Sequence, residues 1–424
     1  MNKVFSKIEQ HLHKSNYMHW LIVGAVMFTL VTMWGATYNS FSLFVTPIQE
    51  SLGVTRAEIV LGVTVKGIGS IVGSYLCSYL LSLMPVMKLL RLVSLLIVAN
   101  IISLSYIQNL FQYYIVLFLQ AILTVLGGFI PLSIIIHNWF EKRSSFAIGL
   151  AFTGTGLGGV IYNWLGGIWI PTLGWRRTMF IFGLIALVGF IITLFFIIKA
   201  TPFELNLRPY GFTDSPREEE QKEVKAEQKG REVKEVFRLV RFWIFMVAIF
   251  LVGLATNSLF NNISPHLIDS GYDLASAAKI TSALMLFLMI GKPLIGYLFD
   301  IWGLKLGAAF CTLCIAVGIF SAVMLSYKLF IITLVVGAGI GLSFNSIAYP
   351  AFSLHLFGPK NYARFSSYLQ IAHGFATILN PIIISIIFQR KQSFNPAFWV
   401  FFVFTCLVAI VWLLLLPTRK NEPY

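Results

Sequence analysis

Two lysines stand inside long apolar runs: Lys66 in GVTVKGIGSIVG and Lys292 in LFLMIGKPLIGYLF. An ammonium at such depth costs on the order of 3 kcal/mol on insertion scales, and it persists where it faces a wet cavity or has a partner. Lys66 follows Glu58 by eight residues and Lys292 precedes Asp300 by eight. At roughly 1.5 Å per helical residue, each charge lies about 12 Å from its end of the run. No Asp or Glu lies in the interior of the apolar runs, so the partner is water, a neutral acceptor or an incoming anion. The plainer alternatives are snorkelling and a structural hydrogen bond. Further polar groups in apolar runs could complete a site: Tyr38, Asn39, Asn257, Asn261, Asn345, Tyr368, Gln370 and His373. Each could equally serve an interhelical hydrogen bond. His373, with an unperturbed pKa near 6.5, could carry a proton or stand neutral in the packing.

The elements that must hold these residues follow from composition. The chain has 424 residues, 58% hydrophobic and 11% charged. Soluble domains carry about 25% charged residues, so lipid must cover most of this surface. A span needs about 20 mostly apolar residues. Twelve are readable: 20–45, 58–83, 89–108, 111–136, 145–170, 178–199, 241–264, 275–299, 304–325, 328–352, 365–389 and 396–417. The stretch 200–240, containing EEEQKEVKAEQKGREVKE, divides them six and six as a charged linker, a solvated tether or a helix with Glu/Lys pairs one turn apart. The expected domains are a segment 1–19, a six-helix bundle 20–199, the linker, a second bundle 241–417 and a tail 418–424.

The net charge of +14 reflects scarce acids, since nine of the seventeen lie between Glu204 and Glu235. It points to membrane edges rather than nucleic acid. With both termini and the linker in the cytoplasm, 22 basic residues fall inside and 7 outside, or 12 against 7 without the linker, as the positive-inside rule requires. The N-terminus lacks the apolar core and cleavage site of a secretory signal. Cys77, Cys311, Cys314 and Cys406 all lie in apolar runs, and Cys311-x-x-Cys314 has no second pair; this reads as helix packing, with no metal site or cofactor expected. The Gly154–Gly159 string lies within a span, so it serves close helix approach and not dinucleotide binding, which needs a strand before it.

The two halves repeat. Gly296-Tyr-Leu-Phe-Asp300-Ile-Trp-Gly303-Leu-Lys305 aligns with Gly73-Ser-Tyr-Leu-Cys77 at an offset of 223, which places Lys66 opposite Met289, one turn from Lys292. Both lysines could then point into one cavity between two bundles, an arrangement known in transporters built from repeats. The segment Gly296 to Lys305 resembles the loop signature G-x-x-x-D-x-x-G-x-[RK] of the major facilitator superfamily. Gly296, Asp300, Gly303 and Lys305 thereby become a candidate latch, in which the Asp pairs with neighbouring bases and helix N-termini. Its first-half copy is degraded, with Cys77 for the Asp and Leu80 for the second Gly.

The segment from Trp139-Phe-Glu-Lys-Arg143 through Gly149 to Gly154-Thr-Gly156-Leu-Gly158 resembles the pattern between the fourth and fifth spans of monocarboxylate transporters and of the oxalate/formate-exchanger-like carriers. Gly174-Trp175-Arg176, Arg208-Pro-Tyr-Gly211 and His266-Leu-Ile-Asp-Ser-Gly271, with Ala275, Ala277 and Ala278 just beyond, extend that resemblance. Lys292-Pro-Leu-Ile-Gly296 is similar to their R-P-x-x-G segment, whose Arg binds the substrate anion. Lys keeps the charge and loses bidentate recognition. Where proton-coupled members carry an Asp four residues earlier, Leu288 stands here, and Asn39 stands at the first-span Lys.

The resemblance implies an all-α membrane protein of twelve transmembrane helices in two pseudo-symmetric six-helix bundles, the major facilitator fold. It implies a monomeric secondary active transporter in the plasma or inner membrane, not an enzyme. Its substrate would be a small organic anion, a monocarboxylate such as lactate or pyruvate or an oxalate/formate-like anion, moved by alternating access with protons or a counter-anion. The alternatives are a carrier of drugs or sugars and a non-transporting receptor. No metal-ligand cluster or nucleophile–base pair is readable. The orientation is tested by single cysteines at positions 220 and 109 in a cysteine-free background. Position 220 should label only from the cytoplasmic side and position 109 only from outside; external labelling of 220 in intact cells would refute the topology.

Overall fold

A computed structural model describes residues 2–212, 232–325, 327 and 329–418. The Glu/Lys-rich stretch of the linker falls outside the described residues. Among those described, eleven helical stretches are long and apolar enough to cross a membrane. One of them, Lys279–Val323, is two spans joined end to end, because Gly303 at φ 77°, ψ −179° interrupts the helix Leu274–Val323. Only glycine adopts such a backbone readily, so the second Gly of the loop signature marks the boundary between spans eight and nine, and the total is twelve. Large side chains such as Phe111, Phe196 and Leu414 are about three-quarters exposed, as a lipid-facing surface requires.

Span starts are written into the sequence. Thr55 and Glu58 form a capping box at the second span, Arg56–Leu83. Asn109 accepts from the Gln112 N–H (2.9 Å) at the fourth, and Asp273 accepts from Ser276 N–H (3.3 Å) at the eighth. These caps satisfy amide groups that the helix itself leaves unpaired. They lie at the membrane face opposite the linker.

Three breaks matter for function. The first span is interrupted by a π turn at Gly35–Asn39. The fourth divides into Leu110–Leu126 and Phe129–Trp139. The fifth divides into Ser144–Phe152 and Gly154–Leu173. At this last break Gly156 N–H turns to the Thr153 carbonyl (2.9 Å) and leaves the Phe152 carbonyl to another donor. Spans one and five cross closely: a Cβ on Gly154 or Gly158 would meet the Met27 or Val31 carbonyl. The glycine string thus serves the helix approach expected of it.

The halves meet at the linker side. A Cβ on Gly149 would strike the Lys292 carbonyl, and one on Gly296 the Ser145 carbonyl, so spans five and eight touch backbone to backbone. Span eleven, Tyr362–Lys391, lies against span two, where Gly374 abuts Ile71 and Gly67 abuts Ile378.

Both described ends of the linker dock on the bundles. Tyr210 N–H donates to the Trp139 carbonyl (2.8 Å) and its own carbonyl accepts from Glu141 and Lys142 N–H. His19 and Trp20 pack edge-on around that ring. At the other end Glu232 pairs with Lys360 at 2.6 Å, both about half exposed, and Phe237 packs on Tyr368 and Phe242.

The hydrogen bond from Lys360, then its charge, holds the Glu232 carboxyl below the usual carboxylate range. A depressed carboxyl contributes its stabilisation above the unfolded-state value and loses it as the pH falls through the folded one. Amides of 233–237 should therefore exchange with deuterium faster at low pH, after correction for intrinsic rates, than at pH 7. Lys360→Gln should give fast exchange at both pH values. Exchange that ignores pH and the substitution would show that the pair does not hold this segment.

Candidate functional site

Both lysines are buried, Lys66 at 7% exposure and Lys292 at 5%, and among the described residues each has neutral partners. Lys66 Nζ donates to the Thr37 carbonyl at 3.2 Å, inside the π turn, where the regular α ladder is interrupted. It also lies over the rings of Tyr38 (4.7 Å) and Phe41 (4.1 Å), whose faces attract a cation. Lys292 Nζ donates to the Phe152 carbonyl at 3.0 Å, the group released at the fifth-span break, and to Thr155 Oγ1. Lys292 belongs to the second half and both partners to the first, so this ammonium bridges the two bundles.

One polar chain ties the lysines together. Asn39 Nδ2 donates to the Thr155 carbonyl at 2.5 Å, and Asn163 Nδ2 donates to the Asn39 carbonyl at 3.2 Å. The π turn that accepts from Lys66 is thus bonded to the residue that accepts from Lys292. An anion entering here would meet two cations whose present contacts are carbonyls and a hydroxyl, weaker than a carboxylate.

The second half supplies a separate polar group. Asn345 donates to Thr256 Oγ1 (3.0 Å), and Tyr349 donates to Asn345 Oδ1 (3.1 Å). His373 stacks edge-on to Tyr349 at 6.0 Å. Asn257 donates to the Gly253 carbonyl (2.8 Å) and accepts from Thr377 (3.4 Å). Gly374 and Ile378 abut span two at Ile71 and Gly67, which puts His373 and Thr377 close to the level of Lys66. Gln370 is half-buried one turn before His373, and Asn261 is exposed, one turn beyond Asn257.

Tyr368 lies elsewhere. Its ring packs on Phe237 and Phe365 at the linker end. It stands six residues into a helix that begins at Tyr362, about 9 Å from that end, and takes no part in the group around the lysines.

The candidate latch closes the linker side. Asp300 Oδ1 and Oδ2 accept from Ser145 N–H (3.1 Å) and Phe146 N–H (2.9 Å). These are orphan donors at the start of a helix, where a negative charge is favoured, and they belong to the opposite half. Gly296 lets the backbones meet and Gly303 turns the chain away. Lys305 comes just after that turn, in the ninth span. Ser133 Oγ and Tyr362 OH join the halves at 2.7 Å on the same side.

Sequence reasoning did not find Thr37, Thr155, Trp34, Phe129 or Gln120. Trp34 stacks on Tyr38 (5.6 Å, 15°) and touches Phe129 (4.5 Å), which touches Phe152 (4.8 Å). Gln120 is 1% exposed, and neither its oxygen nor its nitrogen has a hydrogen-bond partner among the described residues. A lone glutamine in the apolar stretch YYIVLFLQAILTVL was its visible signal.

The Major Facilitator Superfamily model matches residues 25–352 and 277–424. The uncharacterized transporter ESBP6 of Saccharomyces cerevisiae is 23% identical over 292 residues, 67% of this chain and 41% of its own length. Multidrug resistance protein MdtG of Proteus mirabilis is 36% identical over 98 residues, 23% of this chain and 24% of its own. Riboflavin transporter RibJ of Trypanosoma cruzi is 26% identical over 173 residues, 39% of this chain and 36% of its own. The matched segments thus span less than half the length of each of these relatives. Among solved structures, the proton:xylose symporter XylE is similar with a TM-score of 0.77, 13% identity, and coverage of 96% of this chain and 98% of that one. A structure of the transporter FucP in the outward conformation gives 0.69, 12%, 93% and 98%. At these identities the likeness speaks to the fold.

The Asp300 contacts generate a test. Ile148 lines the small hollow at the closed side with His137, Ser144 and His355. A cysteine at 148 in a cysteine-free background should react slowly with a thiol reagent applied from the linker side. Adding Asp300→Ala should speed the reaction several-fold, because the helix start loses its acceptor. An unchanged rate would show that Asp300 does not hold this side shut.

Proposed function

The chain belongs to the major facilitator superfamily, and from that membership we propose that it carries a small organic anion by alternating access. The observation that supports this most is the pair of buried lysines, held by a carbonyl at 3.2 Å and by a carbonyl at 3.0 Å with a hydroxyl. Each ammonium retains donors for an incoming carboxylate. Lys292 is the primary anion residue, supported by its similarity to the R-P-x-x-G arginine. Lys66 is the second charge. Asn39, Asn257, Asn345 and His373 shape the surroundings, and Tyr38 holds Lys66 through its ring. Monocarboxylates and oxalate/formate-like anions are the substrate classes that the motif resemblance favours.

The geometry suggests how binding could drive transport. Lys292 ties its own half to the first-half Phe152 and Thr155. A carboxylate competes for the same ammonium, loosening that tie while it neutralises the charge. An unliganded carrier would move two uncompensated charges through a changing environment, which is costly. An anion-loaded carrier avoids this, and the result is exchange of one anion for another. Proton symport through a lysine or His373 is the alternative. A second reading, a carrier of uncharged or drug-like molecules, is favoured by the match to a relative named for multidrug resistance.

The protein in liposomes tests these readings together. Saturable uptake of labelled carboxylates should disappear in Lys292→Ala at normal protein level, persist in part in Lys292→Arg, and weaken less in Lys66→Ala. Efflux from preloaded liposomes at symmetric pH should be slow and should accelerate many-fold when unlabelled anion is added outside. Unchanged affinity in Lys292→Ala would refute the anion assignment. Fast net efflux with proton movement that His373→Ala removes would replace exchange by symport.

A further inference from the structure

A series of ring contacts runs from Lys66 to Phe152, whose backbone carbonyl accepts from Lys292. Lys66 Nζ lies over Phe41 and Tyr38. Tyr38 stacks on Trp34, Trp34 meets Phe129, and Phe129 meets Phe152. The Phe152 carbonyl then accepts from Lys292 Nζ. The series is built from three different spans at their irregular points: the π turn of the first, the Gly127–Gly128 break of the fourth and the Thr153 break of the fifth. A Cβ on Gly128 would strike the Thr124 carbonyl and would also come within 3.0 Å of the Trp34 ring.

The rings in this series are not sealed. Trp34, Tyr38, Phe41 and Phe129 are half-buried, whereas their chain neighbours Met33, Ala36 and Ile130 are fully buried. Each of these four residues therefore keeps part of its surface uncovered. Gln120 adds a polar group. It lies on the same helical face of the fourth span as Tyr113, which stacks on Phe41, and its amide has no hydrogen-bond partner among the described residues.

A short aliphatic anion uses none of this. Formate, oxalate or lactate would satisfy a lysine and leave the ring faces uncovered. A planar ring bearing a carboxylate satisfies both, stacking offset or edge-on against Trp34 and Phe129 while its carboxylate takes an ammonium. We propose that the anion bound between Lys66 and Lys292 is an aromatic carboxylate, recognised by the Trp34–Tyr38–Phe129 wall as much as by the lysines. This rests on the anion reading above and narrows its substrate class.

The test is equilibrium binding to the purified full-length protein, with labelled benzoate and labelled lactate as anionic probes and benzamide as the uncharged ring. Benzoate should bind at least tenfold more tightly than lactate, and benzamide far more weakly than benzoate. Trp34→Leu and, separately, Phe129→Leu should weaken benzoate about tenfold and change lactate less than twofold. Trp34→Phe, which keeps a ring, should recover most of the benzoate affinity and guards against a folding defect. If lactate binds as tightly as benzoate, or the ring variants weaken both equally, the aromatic class is overturned while the anion reading stands. If benzamide binds as well as benzoate and Lys292→Ala changes neither, the anion reading fails and the ring wall binds neutral aromatics. Binding of none of the three overturns both.

Discussion

Two lysines buried, among the described residues, without a carboxylate partner are the constraint around which the molecule is arranged. An ammonium inside an apolar bundle needs acceptors, and in a regular helix each carbonyl already accepts from an amide one turn on, which leaves only its second lone pair. The chain supplies acceptors by interrupting helices where the lysines sit. The π turn in the first span presents the Thr37 carbonyl to Lys66. The break at Thr153 releases the Phe152 carbonyl, which accepts from Lys292 and from the Thr155 hydroxyl. Ring faces add to the shell of Lys66. Irregular backbone is tolerated at membrane depth only where it is buried in protein or lines a cavity, and here both breaks are taken up by a cation.

The same contacts carry the mechanical connection. Spans five and eight approach so closely that glycine alone fits at 149 and 296, and along this seam Asp300 caps the start of the facing helix while Lys292, two turns deeper, bonds to its end. The acidic contact sits at the membrane edge and the basic one at depth. A rocking motion that separates the halves on the linker side breaks both. On the anion reading proposed above, the Asp300 contact is intrinsic to the protein and the Lys292 contact is open to competition from the ligand, so the two would divide the work of holding a conformation and of releasing it.

Much of this was legible from residue types alone, for identifiable reasons. The apolar runs are long enough for the spans to be placed from length alone, and three of the helices open on Thr55, Asn109 and Asp273, whose side chains cap the first turn. The loop signature singled out Gly303 as part of a candidate latch, and the helix breaks at that residue. Lysines in an apolar run stand out because their cost is high. What stayed hidden were the acceptors. Thr37, Phe152 and Thr155 bond through carbonyls or a single hydroxyl, and every residue has a carbonyl; only the local loss of a helical hydrogen bond singles them out. The ring wall was invisible because 15% of the chain is aromatic, so Trp34 and Phe129 have no compositional contrast. Tyr368 stood three residues inside the apolar run 365–389, close to its linker end, and its ring packs there on Phe237 and Phe365.

The choice of weak partners for strong charges has a functional logic. Had an aspartate stood at position 288, one turn from Lys292, it would have formed a charge-assisted pair roughly twice as strong as a neutral hydrogen bond, and an incoming carboxylate would have had to displace it or bring a proton to it. With Leu288 there, the partners of the ammonium among the described residues are a carbonyl and a hydroxyl, and on the proposed anion reading a carboxylate is the better ligand. The cost falls on the empty protein, which must keep an incompletely paired charge inside the membrane. The aromatic surface near Lys66 reduces that cost, since a cation over a ring is stabilised without presenting a competing anion. Carbonyls, hydroxyls and rings together keep the lysines in position yet available, a combination that a buried carboxylate could not provide.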